Sequence, residues 1–312
     1  MYIRIWGCRG SLPSPATMSF DTRRFGGNTT CYEIRTRHDN KEELFIVDMG
    51  TGLFGLGEKL IQEFLSGETE QIRARFFITH IHLDHTFGMG FFAPIFMPGH
   101  HLEFYTLEMP AMFTNLNRQL AGLYDGIQFP RHLEQMPSIG GNNNSGEAFH
   151  DVKFWEVLEF ETVRIKVVEL NHPQGCAGWR FEERAPDGTY TGAVLGVATD
   201  TEHYDSPNPN VQKLGRDADL LILDGQYEDD EYRGRGPDGV GSKMGWGHST
   251  PRACVREAAG CGVKRLGITH HDPRHDDRTL ARMETKARRY NRRLKNPVPD
   301  VFFLRESMEF TF

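Results

Sequence analysis

The seven residues Thr79-His80-Ile81-His82-Leu83-Asp84-His85 hold four side chains able to ligate a metal, in a chain of 312 residues with 14 histidines. They follow directly on the apolar run 75–78, which reads as a buried strand. Side chains of an extended chain alternate with period two, so His80 and His82 are expected on one side. Asp84 and His85 then fall where the chain turns, free to face a second ion. Three imidazoles and a carboxylate beside a buried strand carry a large desolvation cost unless a cation satisfies them. Metal binding is therefore the chemistry expected of this cluster.

The His-x-His-x-Asp-His run resembles the metal motif of the metallo-β-lactamase superfamily, and the rest of the chain can be set against that family's pattern. Asp48, in Val47-Asp48-Met49-Gly50-Thr51-Gly52, matches the first motif, whose Asp braces the metal loop. His172 in Asn171-His172-Pro173 matches the third motif, Asp200 in Ala198-Thr199-Asp200-Thr201 the bridging carboxylate, and His270 in Thr269-His270-His271 the last ligand. Each stands just past an apolar strand pattern, where separate elements can converge. The resemblance implies an α+β fold, a four-layer αββα sandwich of two mixed β-sheets flanked by helices. It also implies two divalent ions per chain, one held by His80, His82 and His172, the other by Asp84, His85 and His270, with Asp200 bridging. A nitrogen-rich set of this kind suits Zn²⁺ first, then Mn²⁺ or Fe, ahead of Mg²⁺ or Ca²⁺. Set against Asp84, Asp200 and a bridging hydroxide, two such ions leave about one net positive charge, complementary to a phosphodiester monoanion.

Gly245-Trp246-Gly247-His248-Ser249-Thr250, taken with Asp224 in Leu223-Asp224-Gly225, resembles the acid–histidine pair of the phosphodiesterase branch, which includes tRNase Z and PhnP-like cyclic phosphodiesterases. This chain has Asp where tRNase Z has Glu. Phosphodiester hydrolysis expels an alkoxide, and a histidine held by a carboxylate can supply the proton it needs. Gly7-Cys8-Arg9-Gly10-Ser11 and Phe25-Gly26-Gly27-Asn28-Thr29-Thr30-Cys31 look like the opening motifs of the same branch. The function so implied is hydrolysis of a small phosphodiester, a cyclic nucleotide first, by bridging-hydroxide attack with His248 and Asp224 as general acid. A tRNase Z-like RNA 3′-processing endonuclease and a lactonase-type carbon-ester hydrolase are the alternatives. A non-catalytic sensor on the same fold is disfavoured by the intact ligand set. Arg274, and Arg235 and Lys243 on the Gly-rich loop before His248, are candidates to clamp a substrate phosphate, against an ordinary surface role.

A globally basic grip on nucleic acid is not expected, because 36 Lys and Arg stand against 43 Asp and Glu for a net charge of −7. The segment 86–150 has no Lys and only Arg118 and Arg131, against Glu103, Glu108, Asp125, Glu134 and Glu147. Its Phe and Met residues, from Phe87 to Met97, read as core or as an apolar wall for a nucleobase. The basic run 286–295 reads as the solvated end of a helix.

Strands are expected over 2–6, 31–36, 44–48, 75–79, 102–106, 152–157, 163–170, 178–183, 194–198, 220–223 and 266–269, with one or two more in 301–312. Helices are expected over 56–65, 110–123, 251–259 and 279–294, the third with Thr250 as its N-cap and Pro251 at its first turn. The chain reads as one hydrolase domain over 1–312, with an insertion near 86–150 and Gly-rich loops at 138–146 and 233–247. No run of 18 apolar residues is present, and the first residues alternate like a strand where a signal peptide would be apolar. Five cysteines without a C-x-x-C pair point to buried, reduced thiols and a cytoplasmic setting. Relatives often dimerise, and nothing in the sequence marks an interface.

Overall fold

Three apolar seams organise the molecule, and three seams separate four layers. In a computed structural model, which describes residues 1–312 except 109–115, 128, 140–147, 204–206 and 238, the central seam lies between two β-sheets. Ile3, Ile5, Phe45 and Phe77 of one sheet meet Ile165, Trp179, Phe181 and Leu195 of the other. An outer seam packs Leu53, Leu56 and Leu60 of helix α1 (Leu53–Leu65) on Ile46, Phe76 and Phe104. On the opposite flank, α6 (Pro251–Cys261) and α7 (Asp277–Asn291) bury Val255, Ala258, Leu280 and Met283 against Leu221, Leu223, Leu266 and Ile268. The expected αββα sandwich is what forms.

The first sheet runs β14-β1-β2-β3-β4-β5-β6, from β1 (Tyr2–Gly7), β2 (Cys31–His38), β3 (Lys41–Val47), β4 (Arg73–Phe77), β5 (His101–Leu107), β6 (Phe149–Val152) and β14 (Glu309–Thr311). The second runs β13-β12-β11-β10-β9-β8-β7, from β7 (Val157–Glu159), β8 (Val163–Leu170), β9 (Cys176–Glu183), β10 (Val194–Ala198), β11 (Leu220–Asp224), β12 (Arg265–Thr269) and β13 (Asp300–Phe303). Both sheets are mixed in the same way, antiparallel up to β3 and to β10 and parallel beyond them. Parallel strands end on one edge, so the segments leaving β3 and β4, and those leaving β10, β11 and β12, emerge side by side.

Short helices complete the shell: α2 (Leu83–Thr86), α3 (Leu116–Leu123), α4 (Pro209–Gly215) and α5 (Asp229–Tyr232). Thr250 caps α6 by accepting from the Ala253 N–H at 3.4 Å, and Gly262 ends it in the left-handed region at φ 72°. None of the helices among the described residues is long and apolar enough to cross a membrane. All five cysteines are buried and free.

Two expectations are corrected, and a third is only partly covered by the described residues. Residues 152–157 do not form one strand: β6 ends at Val152 and β7 begins at Val157 in the other sheet, with Trp155 at φ 69° turning the chain between them. The strand before the histidine cluster stops at Phe77, so His80 and His82 are not alternate residues of a strand. The helix expected from 110 is described only from Leu116, because 109–115, like most of the 138–146 loop, lie outside the described residues.

Candidate metal centre

His80, His82, His85 and His172 each give one ring nitrogen to an acceptor, and that choice fixes where the lone pair points, whereas His270 Nδ1 has no hydrogen-bond partner among the described residues. His172 Nδ1 lies 3.0 Å from the Gly247 carbonyl, which can only accept, so Nδ1 carries the proton and Nε2 the lone pair. His82 Nε2 donates to Gln174 Oε1 at 3.2 Å, which leaves its Nδ1 as the lone-pair atom. The Thr79 hydroxyl has one proton, given to the Asp48 carboxylate at 3.0 Å, so its oxygen accepts from His80 Nδ1 at 3.1 Å. The three remaining nitrogens converge: His82 Nδ1 is 2.9 Å from His80 Nε2 and 3.3 Å from His172 Nε2. Three lone pairs aimed at one point are stable only around a cation. The donor set therefore fits a divalent metal.

A second set adjoins it. His85 donates Nδ1–H to Asp48 Oδ2 at 2.7 Å, which places Asp48 as a brace. Its Nε2 faces Asp84 Oδ2 at 3.3 Å and Asp200 Oδ1 at 3.2 Å. His270 Nε2 is 3.2 Å from both Asp84 Oδ2 and Asp200 Oδ2. Buried His85 Nε2 and Asp200 Oδ1 have no hydrogen-bond partner among the described residues, as expected of atoms that ligate. Asp200 touches both sets, since its Oδ2 also lies 3.7 Å from His80 Nε2. The seven expected ligands are thus all brought together.

Backbone strain marks the same place. Asp48 and His270, each the first residue past its strand, hold φ of 61° and 60°. For residues with a Cβ this costs on the order of 1 kcal/mol, sustained where the surroundings fix the side chain. Charge is equally concentrated. Burial raises the Asp48 and Asp224 carboxyls, only partly offset by His85 and His248 respectively. Burial also opposes ionisation of Asp84 and Asp200, but the facing histidines outweigh it and hold both well below the usual range. His172 is pushed down to about 4 by burial. At His270 the Asp200 and Asp84 carboxylates overcome burial and push it up to about 9.

His248 and Asp224 form the expected pair, Nδ1 to Oδ2 at 3.0 Å. Asp224 ends β11 and is itself held by the Gln226 N–H at 3.0 Å. The His248 ring stacks on His270 at 4.9 Å, and its Nδ1 is 3.6 Å from Asp200 Oδ2. The histidine therefore borders both ligand sets.

The three basic candidates are not assembled this way. Arg235 is 62% exposed and paired with Asp230 at 2.8 Å. Lys243 is a correction: its side chain is wholly buried, with the ammonium 4.9 Å from the Tyr227 ring, so it is not presented to a solvent-borne phosphate. Arg274 is half exposed and holds Asp272 through two 3.1 Å contacts.

Other residues of the site were not among the expected ligands or the acid pair. The Ser11 N–H donates to Asp84 Oδ2 at 2.7 Å, and a Cβ on Gly10 would lie 2.3 Å from His270 Nδ1, so the Gly7–Ser11 motif packs directly on the second set. Gln174 orients His82. The Phe and Met segment divides: Met89 and Phe92 are core, while Phe87, Phe91 and Phe96 are exposed and linked through Phe129.

A family model described as a beta-lactamase superfamily domain matches residues 45–271. The chain belongs to the metallo-β-lactamase superfamily. It has the superfamily's hydrolase fold and a His/Asp cluster able to bind divalent metal. Ribonuclease BN of Erwinia tasmaniensis is 25% identical over 274 residues, 75% of this chain and 82% of that protein. Two solved structures share the fold at low identity. Zn²⁺-bound PqqB from Methylobacterium extorquens superposes with a TM-score of 0.62 at 12% identity, covering 100% of both chains. A diphosphatase of the PhnP family gives 0.59 at 16%, covering 100% of this chain and 97% of its own. The expectation against nucleic acid gains no support here, since a similar protein is a ribonuclease.

Proposed function

We propose that this superfamily member is a two-metal phosphodiesterase acting on a small phosphodiester, with a cyclic nucleotide as the first candidate and Zn²⁺ as the first candidate metal. The observation that carries the reading is the 3.0 Å His248–Asp224 pair at the junction of the two ligand sets. His80, His82 and His172 would hold one ion and Asp84, His85 and His270 the other, with Asp200 between them. When bound, such ions supply Lewis acidity and lower the pKa of a water. The protein's own part is to deliver a proton. Asp224 accepts from His248 Nδ1 and stabilises the imidazolium, which leaves Nε2 as the atom that would protonate the departing oxygen. A carbon ester has less need of this pair.

RNA is the second reading, favoured by the similarity to ribonuclease BN. Two features weigh toward the small substrate. On α7, Arg282 and Lys286 are tied to Glu228 and Arg288 to Glu284, and the exposed residues Arg292, Arg293 and Lys295 lie beyond its C-terminal end. A helix of 15 residues is about 22 Å long, so that basic end is remote from the His270 loop that leads into it. Along the chain of the metal loop and its continuation, residues 83–91, the exposed side chains are apolar instead: Leu83, Phe87 and Phe91.

The test is one panel on metal-reconstituted protein: bis-p-nitrophenyl phosphate, 3′,5′- and 2′,3′-cyclic nucleotides, a 3′-extended tRNA precursor and a simple lactone. Chelator-sensitive turnover of cyclic nucleotides is expected. Cleavage of the precursor alone would establish the RNA reading, and lactone turnover with inert phosphodiesters would replace both.

A further inference from the structure

Two residues past the bridging Asp200, the side chain of Glu202 is buried and ties together parts of the site that come from distant places in the sequence. Its carboxylate accepts the Gly245 N–H at 2.8 and 2.9 Å, the Gly247 N–H at 3.1 Å, and the hydroxyl of Tyr232 on α5. Its backbone is strapped to the loop after β8, with Glu202 N to Asn171 O at 2.8 Å and Asn171 Nδ2 to Glu202 O at 2.9 Å.

What these bonds hold is specific. Gly247 is the residue whose carbonyl fixes the His172 tautomer at 3.0 Å, and it immediately precedes His248. Gly245 and Gly247 both sit at φ 85°, a conformation a glycine adopts freely and abandons as freely unless it is fastened. A Cβ at Gly247 would lie 2.1 Å from His172 Nδ1, so the loop is pressed directly on that ring. The fastener is the Glu202 carboxylate.

We propose that Glu202 is a positioning residue that couples the two functions of the site. By anchoring Gly245 and Gly247 it sets the Gly247 carbonyl that orients His172 toward the first metal, and it sets the path that places His248 on Asp224. The inference rests on the reading of His172 as ligand and His248 as proton donor. It adds that one buried carboxylate holds both in register. Glutamine at this position keeps the shape but turns an N–H₂ toward glycine N–H groups or the tyrosine hydroxyl.

The experiment compares wild type with Glu202→Gln on two readouts. The first is chelator competition for Zn²⁺, which needs no turnover, and a 10- to 100-fold weaker retention is expected, the usual cost of losing a group that orients a metal ligand. The second is the ratio of rates on an alkyl and a p-nitrophenyl phosphodiester, which should fall because only the alkoxide needs the proton from His248. Both shifts together support the coupling. Wild-type values on both, or a shift in one alone, overturn it. Should Glu202→Gln not fold, judged by near-ultraviolet circular dichroism, Tyr232→Phe is read by the same criteria with smaller shifts expected. His248→Ala runs alongside. If its own leaving-group ratio is unchanged, the proton-donor reading has failed separately, and Glu202 is then judged on chelator competition alone.

Discussion

Seven candidate ligand side chains and one His–Asp pair meet at this centre, and four of the five candidate imidazoles are committed at the far nitrogen, to Gly247, Gln174, Asp48 or Thr79 in turn. That commitment makes the site a receiver of cations even before an ion arrives. At this scale two substitutions separate binding from chemistry. His248→Ala removes no proposed ligand, so metal content measured by elemental analysis should stay at the wild-type value. Its turnover on alkyl phosphodiesters should fall about 10²- to 10⁴-fold, and far less on p-nitrophenyl substrates, whose leaving group departs unprotonated. Equal losses on both would remove His248 as the general acid. Asp84→Ala, in contrast, deletes a carboxylate shared by His85 and His270. Bound metal should drop from two ions toward one per chain, and unchanged stoichiometry would refute the ligand assignment. The side chains that converge as candidate ligands were legible from residue type and motif. Ser11 stood in the opening motif, but its backbone N–H contact to Asp84 did not show there, and Gln174 and Glu202 stood in no motif, because no spacing rule tells a positioning amide or carboxylate from an ordinary exposed one.

Elements position these side chains by ending where they do. β3, β4, β10, β11 and β12 are read closely from the sequence, since each is a short apolar run bounded by Gly, Asp or charged residues. The single-turn α2 that carries Asp84 and His85 was not, because four residues are too few to show a helical period. The β8–β9 hairpin, which presents His172 at its turn, is held across its face by a charge cluster. Glu182 on β9 binds Arg164 at 2.8 Å, Lys166 at 2.9 Å and Arg180 at 2.8 Å. Burial works against the Glu182 carboxylate, but these three cations outweigh it and bring its pKa from 4.5 down to about 2. A carboxylate depressed on folding stabilises the protein above its unfolded pKa and loses that contribution as pH falls through the folded one. Glu182→Gln should therefore cost about 1–3 kcal/mol at pH 7 and markedly less near pH 3. Urea unfolding at the two pH values tests this, and a pH-independent difference would exclude the ion cluster as its source.

For the whole molecule the governing contact is sheet on sheet. Phe77, the last residue of β4, meets Tyr105 in a 4.8 Å stack and the edges of Trp179 and Phe181 at 5.1 and 5.7 Å. It thus lies between the layers and immediately upstream of the metal loop. Phe77→Ala should destabilise the fold by about 3–5 kcal/mol in denaturant titration. Because the loop leaves from this strand, weaker metal retention should accompany it. A loss below 1 kcal/mol would mean that the inter-sheet seam is not what holds the layers together. The repeated sheet topology, antiparallel then parallel in each, could not be read from the chain, since pairing direction depends on partners far apart in sequence.

By itself the sequence determined the chemistry on offer: imidazoles and carboxylates in motif spacing, strands that end beside them, and glycines where a loop must close on a ring. Those properties are local, set by residue type and by neighbours a few positions away. The tertiary structure alone decided which atoms face one another. It turned Lys243 inward and left Arg235 on the surface, although both stand on the loop that leads to His248. It also brought Glu202 under Gly245 and Gly247, more than 40 residues on in sequence. The physical reason is the same throughout. A side chain's role follows from its burial and its hydrogen-bond partners, and both are settled only when two sheets close over a common core.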